Sequence, residues 1–516
     1  MEVLTMRLFG RGFKITILVV IIICGFLIST RMYGEPASLE SSSSTISQLY
    51  LFNTILSYIR AGYVEEVDTR LLIEGAIRGM LSELDPHTIY MSPDEYGELR
   101  VDTVGKFGGL GIEITITPED ETLTVIAPIE GTPAYYAGIE PRDKIIKIDG
   151  ESTEGITLMQ AVNKMRGEPG TDCTLTIRRL GEDEEVDVKI TRAIIDVKSV
   201  RYAYIIEPGI AYVRLARFSE DTAVELLSAL RKLKAQGMKG CILDLRGNPG
   251  GLLDLAVDVT GIFVPEGKLV VYTQSERKSG REKEFKSAGG IHRPDGDIEE
   301  SEFTKLPLVV LVDEASASGS EIVAGAIQDL GRGLVIGEKT FGKASVQTII
   351  PLDVEGSDKP AALKMTVAYY YTPKGTLINE KGITPDVELE YPKYSPLVSK
   401  MSYKGLFRIY AERLYAEERE NALNAFENEP YFLDEMMDLM RESDFHFYSE
   451  AEEETLPENG WGFVRAEMEK NADDIYKLLK RELLRLVEGE ESAFKFMIER
   501  DDWVKRALEE LRGEMW

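Results

Sequence analysis

The sequence predicts a multidomain α/β (α+β) protein: a mostly parallel sheet covered by helices, a small β-rich domain ahead of it, and helical regions at both ends. Three observations predict it. Over residues 193–390, apolar strand-like runs alternate with amphipathic helix-length segments. Over 105–192, short β-rich runs separated by turns replace that alternation. Residues 49–100 and 395–516 carry helical patterns only.

In chain order, the first element is Ile15–Ile28, an apolar run preceded by Arg7, Arg11 and Lys14. It reads as an export signal. No clean small-x-small pattern follows it, so both a retained single-pass anchor (1–33) and a cleaved signal stay open. The positive flank belongs on the cytoplasmic side, which puts the bulk of the chain on the extracytoplasmic, or periplasmic, face of the membrane. Residues 34–48 are serine-rich and read as a linker, opening a linker-and-helix region over 34–104. That region ends in the turn signals Leu84-Asp85-Pro86-His87-Thr88 and Ser92-Pro93.

Residues 105–192 hold strand runs at 111–116, 122–126, 144–148, 174–179 and 186–191, with one helix over 157–166. From 193 to 394 the expected strands are 210–215, 239–245, 306–312 and 333–337. The expected helices are 221–235, with Val224, Leu227, Leu230 and Leu233 inward; 251–262, with Leu252, Leu255, Ala256 and Val259 inward; and 321–330. The polar, Gly-rich stretch 276–304 reads as a mobile loop. Residues 395–516 form an acidic helical extension: residues 401–516 hold 30 Asp/Glu against 16 Lys/Arg, which reads as a solvated face rather than a binding site.

Composition narrows the function. A net charge of -29 opposes nucleic acid as a partner, because phosphates need a basic surface. The three cysteines, Cys24, Cys173 and Cys241, are too few and too scattered for a disulfide framework or a zinc site. No metal and no cofactor is implied. Association into a homo-oligomer is left open.

The chemistry gathers in three loops, each following a strand: Gly247-Asn248-Pro249-Gly250-Gly251, Ser316–Ser320 and Thr340–Lys343. The carboxyl ends of parallel strands joined by right-handed crossovers share one sheet edge, so the three loops should meet there. Ser318 precedes a helix, where backbone N–H groups favour an oxyanion. Gly319, Gly250 and Gly251 are candidate backbone donors, since glycine permits close approach. Lys343 is a candidate base: burial lowers an amine pKa and makes the neutral form available. Gln347 is positioned to orient that amine. The histidines, His87, His292 and His446, lie in a turn, the mobile loop and the acidic tail, so a Ser-His-Asp triad is not indicated. Taken singly, each segment has an ordinary structural reading: a helix cap, a surface lysine, a turn, a strand glutamine. Only their joint order and spacing argue for a site.

That order, DLRGNPGG (244–251), SASGSE (316–321), TFGKASVQ (340–347) and KGITPDV (381–387), with LDPHT (84–88) ahead of it, resembles the carboxyl-terminal processing peptidases, the tail-specific S41 serine proteases. The resemblance covers about residues 45–390. It implies a ClpP/crotonase-like peptidase core, a nucleophile at Ser318, a base at Lys343 and an orienting Gln347. It also implies a serine endopeptidase that forms an acyl-enzyme on protein substrates with apolar C-terminal tails. Gly319 departs from the alanine usual after the nucleophile. Residues 105–192 resemble the family's PDZ domain, with Gly109-Leu110-Gly111-Ile112 as the carboxylate-binding loop and tail addition beside 112–116. A catalytically inactive PDZ scaffold of the same fold is the alternative. Intact Ser318, Lys343 and Gln347 count against it.

Overall fold

The structure, a computed structural model, describes residues 40–515 except 118–120, 130, 180–183, 276–281, 294, 355–356, 358, 391–392, 429–431, 444 and 446–460. The expected anchor at 1–33 and His446 lie outside the described residues. The chain divides into two units at Leu84/Asp85. The first contains the helices Glu40–Gly62 and Thr69–Ser82. Asp68 caps the latter by accepting from the Arg70 N–H. The serine-rich stretch expected as a linker over 34–48 is helical from Glu40 onward. Its serines run straight into apolar Ile46, Leu49 and Leu51, and a helix through those residues takes in the short polar run before them.

The second unit is built around a six-stranded sheet, ordered Val200–Glu207, Ile210–Leu215, Gly240–Asp244, Leu308–Val312, Leu334–Gly337, Val387–Glu388. Its first pair is antiparallel and all others are parallel, as the alternating pattern predicts. The central strands are buried along their whole length because both faces are covered. On one face, Leu226, Leu227, Leu230 and Leu233 of helix Thr222–Ala235 pack with Ala256 and Val259 of helix Leu253–Phe263 and with Ile322, Val323 and Ile327 of helix Gly319–Asp329. Two expected inward residues point out: Val224 and Leu252 are each 46% exposed. Leu226 takes the inward place, and Leu252 precedes its helix instead of lying within it.

The other face is closed by Val504, Ala507, Leu508 and Leu511 of the last helix, Asp502–Met515, against Tyr212, Ile242, Val309, Leu311 and Ile336. The acidic extension is therefore more than a solvated face: part of it is a layer of the core. The helices that precede it enclose a second apolar core of their own, including Leu397, Phe407, Met440 and Leu479.

A five-stranded antiparallel sheet joins Ile89–Met91, Ala361–Tyr371, Leu269–Gln274 and Lys283–Lys286, with Ser345–Leu352 also paired to Ala361–Tyr371. The stretch 276–304 departs from the expected loop. It contributes the Lys283–Lys286 strand and a hairpin of Gly290–His292 with Ile298–Glu300. Ile291 and Phe303 are buried in the core, and those anchors order the segment. The β-rich domain is an antiparallel sheet ordered Ile112–Ile116, Leu123–Pro128, Lys144–Ile148, Asp172–Arg178, Glu185–Thr191, packed with helix Leu158–Met165. Thr157 and Gln160 cap that helix reciprocally.

Candidate active site

The three loops do meet at one sheet edge, and hydrogen bonds tie them. Ser316 Oγ donates to the Leu245 carbonyl (2.9 Å), and Ser320 Oγ donates to the Asn248 carbonyl (2.9 Å). The Ala317 N–H donates to the same Asn248 carbonyl, and the Phe341 N–H to that of Ser316. Asn248, fully buried, donates from Nδ2 to the Leu215 carbonyl. Ser316 and Ser320 are thus staples between loops, which leaves Ser318 as the serine of the cluster that faces the cavity.

Ser318 has φ 53° and ψ -112°, a backbone conformation that costs a non-glycine residue about 1–3 kcal/mol. Its surroundings impose it. The Ser318 N–H donates to Glu321 Oε2 (2.8 Å). The same buried carboxylate accepts from Thr340 Oγ1 (2.6 Å), the Gly342 N–H (2.8 Å) and the Lys343 N–H (2.9 Å). Glu321 is therefore a clamp between the Ser318 turn and the Lys343 loop. Burial raises its pKa, and the hydrogen bonds from Thr340, Lys343, Gly342 and Ser318 oppose that rise. The 381–387 segment braces the Lys343 loop from behind: Ile383 N–H donates to Thr340 Oγ1, and Glu380 N–H to the Gly342 carbonyl.

The candidate oxyanion donors separate. The Gly250 N–H donates to Asn248 Oδ1 (2.9 Å) and is spent. Those of Gly251 and Gly319 have no partner among the described residues. Gly250 serves another need. Its φ is +87°, and a Cβ there would lie 2.4 Å from the Ala317 carbonyl oxygen and 2.5 Å from the Gly319 nitrogen. A side chain is excluded where the two loops touch.

Ser318, Lys343 and Gln347 line one cavity of about 490 Å³ with Gly250, Gly251 and Tyr370. Gln347 does not engage Lys343 by its amide nitrogen. Nε2 donates to Ser345 Oγ (2.7 Å), and Oε1 is the atom able to accept from an amine. The cause is local: a bulge between Val346 and Gln347 resets the strand against Ala368 and Thr366.

Family models match three stretches of the chain. Peptidase family S41 matches residues 209–389, a PDZ domain matches 124–179, and the N-terminal domain of the activating protease CtpB matches 30–95. The carboxy-terminal-processing protease of Bartonella bacilliformis is 43% identical over 380 residues, 72% of this chain and 83% of the relative. The carboxy-terminal processing protease CtpA of Bacillus subtilis is 36% identical over 359 residues, 69% of this chain and 72% of the relative. The chain belongs to peptidase family S41. Among solved structures, a photosystem II D1 C-terminal processing protease shares 32% identity over 66% of this chain and 86% of its own, with a TM-score of 0.38.

Two residues of the cavity lining, Tyr370 and Lys364, carry no motif in the sequence, and His87 is a third polar group of interest. The Tyr370 phenol, buried, donates to the Lys343 carbonyl and also meets the Ser318 side chain. Burial, reinforced by the Glu321 charge, pushes it well above the usual phenol range. Its only sequence signal is the Tyr triplet that ends strand Ala361–Tyr371. Lys364, on the same strand, also lines the cavity. Burial lowers its pKa, and the charge of Lys343 lowers it further. His87 was set aside as a turn residue. Burial, and then the charge of Lys343, hold its imidazole pKa down. The turn that carries it is fastened by Asp85, which accepts from the His87 and Thr88 N–H groups and from Thr88 Oγ1. Thr88 Oγ1 in turn accepts from the Thr366 N–H (3.1 Å).

In the PDZ domain of this S41 peptidase, the loop Gly109–Ile112 borders a cavity of about 110 Å³ with Phe107, Val162 and Met165. Gly111 has φ +81°, and a Cβ there would lie 2.3 Å from Thr132 Cβ. The Leu110 and Gly111 N–H groups have no partner among the described residues. The Ile112–Ile116 strand is an edge of its sheet.

Proposed function

We propose that this chain is a serine endopeptidase that cleaves proteins recognised by their C-terminal tails, with Ser318 as nucleophile and Lys343 as general base. The observation that carries the reading is the shared cavity: Ser318, Lys343 and Gln347 line it, with the uncommitted N–H groups of Gly319 and Gly251 beside Ser318. Lys343, as the free amine, takes the proton of Ser318 Oγ while the oxygen attacks the scissile carbonyl carbon. The oxyanion is held by the two N–H groups. Lys343 returns the proton to the leaving amine as the peptide C–N bond breaks, and an ester on Ser318 remains. A water then attacks that ester, its proton passing to Lys343 and on to Ser318, and the new carboxylate leaves. Gln347 Oε1 and the Tyr370 phenol position the lysine segment.

The PDZ domain supplies recognition. A substrate tail adds as a strand beside Ile112–Ile116, its carboxylate at the Leu110 and Gly111 N–H groups and its last apolar side chain in the adjoining cavity. The same reading keeps the apolar N-terminal run as a membrane anchor, with the catalytic part on the extracytoplasmic face.

The test uses an unfolded protein ending in apolar residues. The parent chain should cleave it. Ser318→Ala and Lys343→Ala should each lower kcat by about 10³-fold or more. Cleavage by either variant at the parent rate would remove the assignment. Tail binding without any cleavage by the parent would favour a scaffold.

A further inference from the structure

The lining of the cavity is unusual in its charge. Three cations line it, Arg217, Lys343 and Lys364, and no carboxylate does. The chain as a whole carries a net charge of -29. Elsewhere its half-buried and buried cations have partners: Arg214 and Arg246 with Asp244, Arg142 with Glu412 and Glu482. Arg217, Lys343 and Lys364 have no hydrogen bond or ion pair from their side-chain nitrogens among the described residues. A cation withdrawn from water without a counter-charge is unfavourable, and a ligand that supplies the charge removes that cost.

Only one of the three has a chemical task in the cleavage reaction. Lys343 must keep its amine available for Ser318, so it is a poor candidate for a permanent ion pair. Lys364 has no such task. It lies opposite Ile349 in the strand pair, whereas Tyr369 lies opposite Ser345. Four residues of strand separate those positions, about 13 Å at an extended rise near 3.3 Å per residue. Ser345 follows Lys343 by two residues and lines the same cavity as Lys364, so an extended substrate laid along this strand pair would bring a residue a few positions from its scissile bond to Lys364. Leu253, Ile322 and Val346 are among the apolar residues of the cavity lining.

We propose that Lys364, assisted by Arg217, is a specificity-determining residue that selects an acidic side chain near the scissile bond. The proposal rests on the reading of this cavity as the catalytic cleft. It separates two selections: the PDZ domain reads the apolar end of the tail, and Lys364 reads a carboxylate close to the cut.

The experiment uses the full chain and one mapped peptide substrate. Each of the four positions on either side of its scissile bond is set in turn to Glu, Gln or Lys. Every peptide keeps the same apolar C-terminus, so the PDZ contribution cancels. With the parent enzyme, Glu should exceed Gln in kcat/KM by about five- to tenfold at one position, the scale of a half-buried ion pair. Lys364→Gln should erase that preference, Lys364→Glu should turn it toward Lys, and Arg217→Gln should weaken it. Identical profiles for the parent and Lys364→Glu would overturn the proposal. So would a Lys364→Gln defect equal for every peptide, which marks a structural role. Peptide affinity for Ser318→Ala, which holds the cleft without turnover, gives the same comparison independently of rate. Should Lys343→Ala cleave at the parent rate, the assignment of the base fails, yet the Glu, Gln and Lys profiles still decide for or against Lys364.

Discussion

The two sides of the catalytic cavity are built by opposite means. On the Ser318 side, polar groups are committed: Ser316, Ser320 and Asn248 staple the loops, and Glu321 holds four donors. On the lysine side, the amines of Lys343 and Lys364 have no protein partners among the described residues. The difference teaches where rigidity is needed. Ser318 sits in a backbone conformation that only dense bonding can hold, and a nucleophile displaced by about 1 Å loses about a hundredfold in rate. On the proposed reading, a base that exchanges a proton and a subsite open to its ligand both call for amines without internal counter-charges.

The largest expected effect comes from breaking the committed side at its tightest point. Gly250→Ala places a Cβ 2.4 Å from the Ala317 carbonyl oxygen at a φ of +87°. We expect a stability loss of about 2–3 kcal/mol, read by denaturant unfolding, and a fall in kcat of at least about a hundredfold. An unchanged kcat would show that the contact between the 247–251 and 316–320 loops does not set the geometry of Ser318.

Next is the clamp. Glu321→Gln keeps the volume but turns one acceptor into a donor that faces N–H groups. Buried donors lose their partner, so unfolding should show a loss of about 1–3 kcal/mol. The activity loss should fall on kcat with KM nearly constant, because the clamp sets Ser318 against Lys343 and does not touch the PDZ groove. A KM effect alone would contradict this division.

The smallest effect probes the one group shared by both sides. Tyr370→Phe removes the phenol that meets Ser318 and the Lys343 carbonyl. The expected cost is about 1 kcal/mol in stability and less than about tenfold in kcat, measured on the same substrate. A drop as large as that of Lys343→Ala would promote Tyr370 from a positioning residue to a participant in proton transfer.

Much of this is legible in the sequence. Alternation of apolar runs predicted the parallel sheet, and the strand-to-loop order predicted that residues 247–251, 316–320 and 340–343 share an edge. The misreadings were of two kinds. Val224 and Leu252 look inward by spacing alone, but helix phase and start are set by the packed neighbours. The 276–304 stretch looks like a loop by composition, but Ile291 and Phe303 anchor it in the core.

By itself, then, the sequence determined the fold class and the order of the three loops, because periodicity and motif spacing are local properties, and its resemblance to a family singled out Ser318, Lys343 and Gln347 as candidates. Tertiary structure alone decided that Ser316 and Ser320 are staples, that the Gly250 N–H is spent, and that Glu321, Tyr370 and Lys364 belong to the site. It also decided that the last helix of the acidic extension closes the second face of the central sheet. The physical reason is the same for each. These roles arise from pairings between segments tens to hundreds of residues apart, and strand register and loop contact, not residue type, set which group meets which.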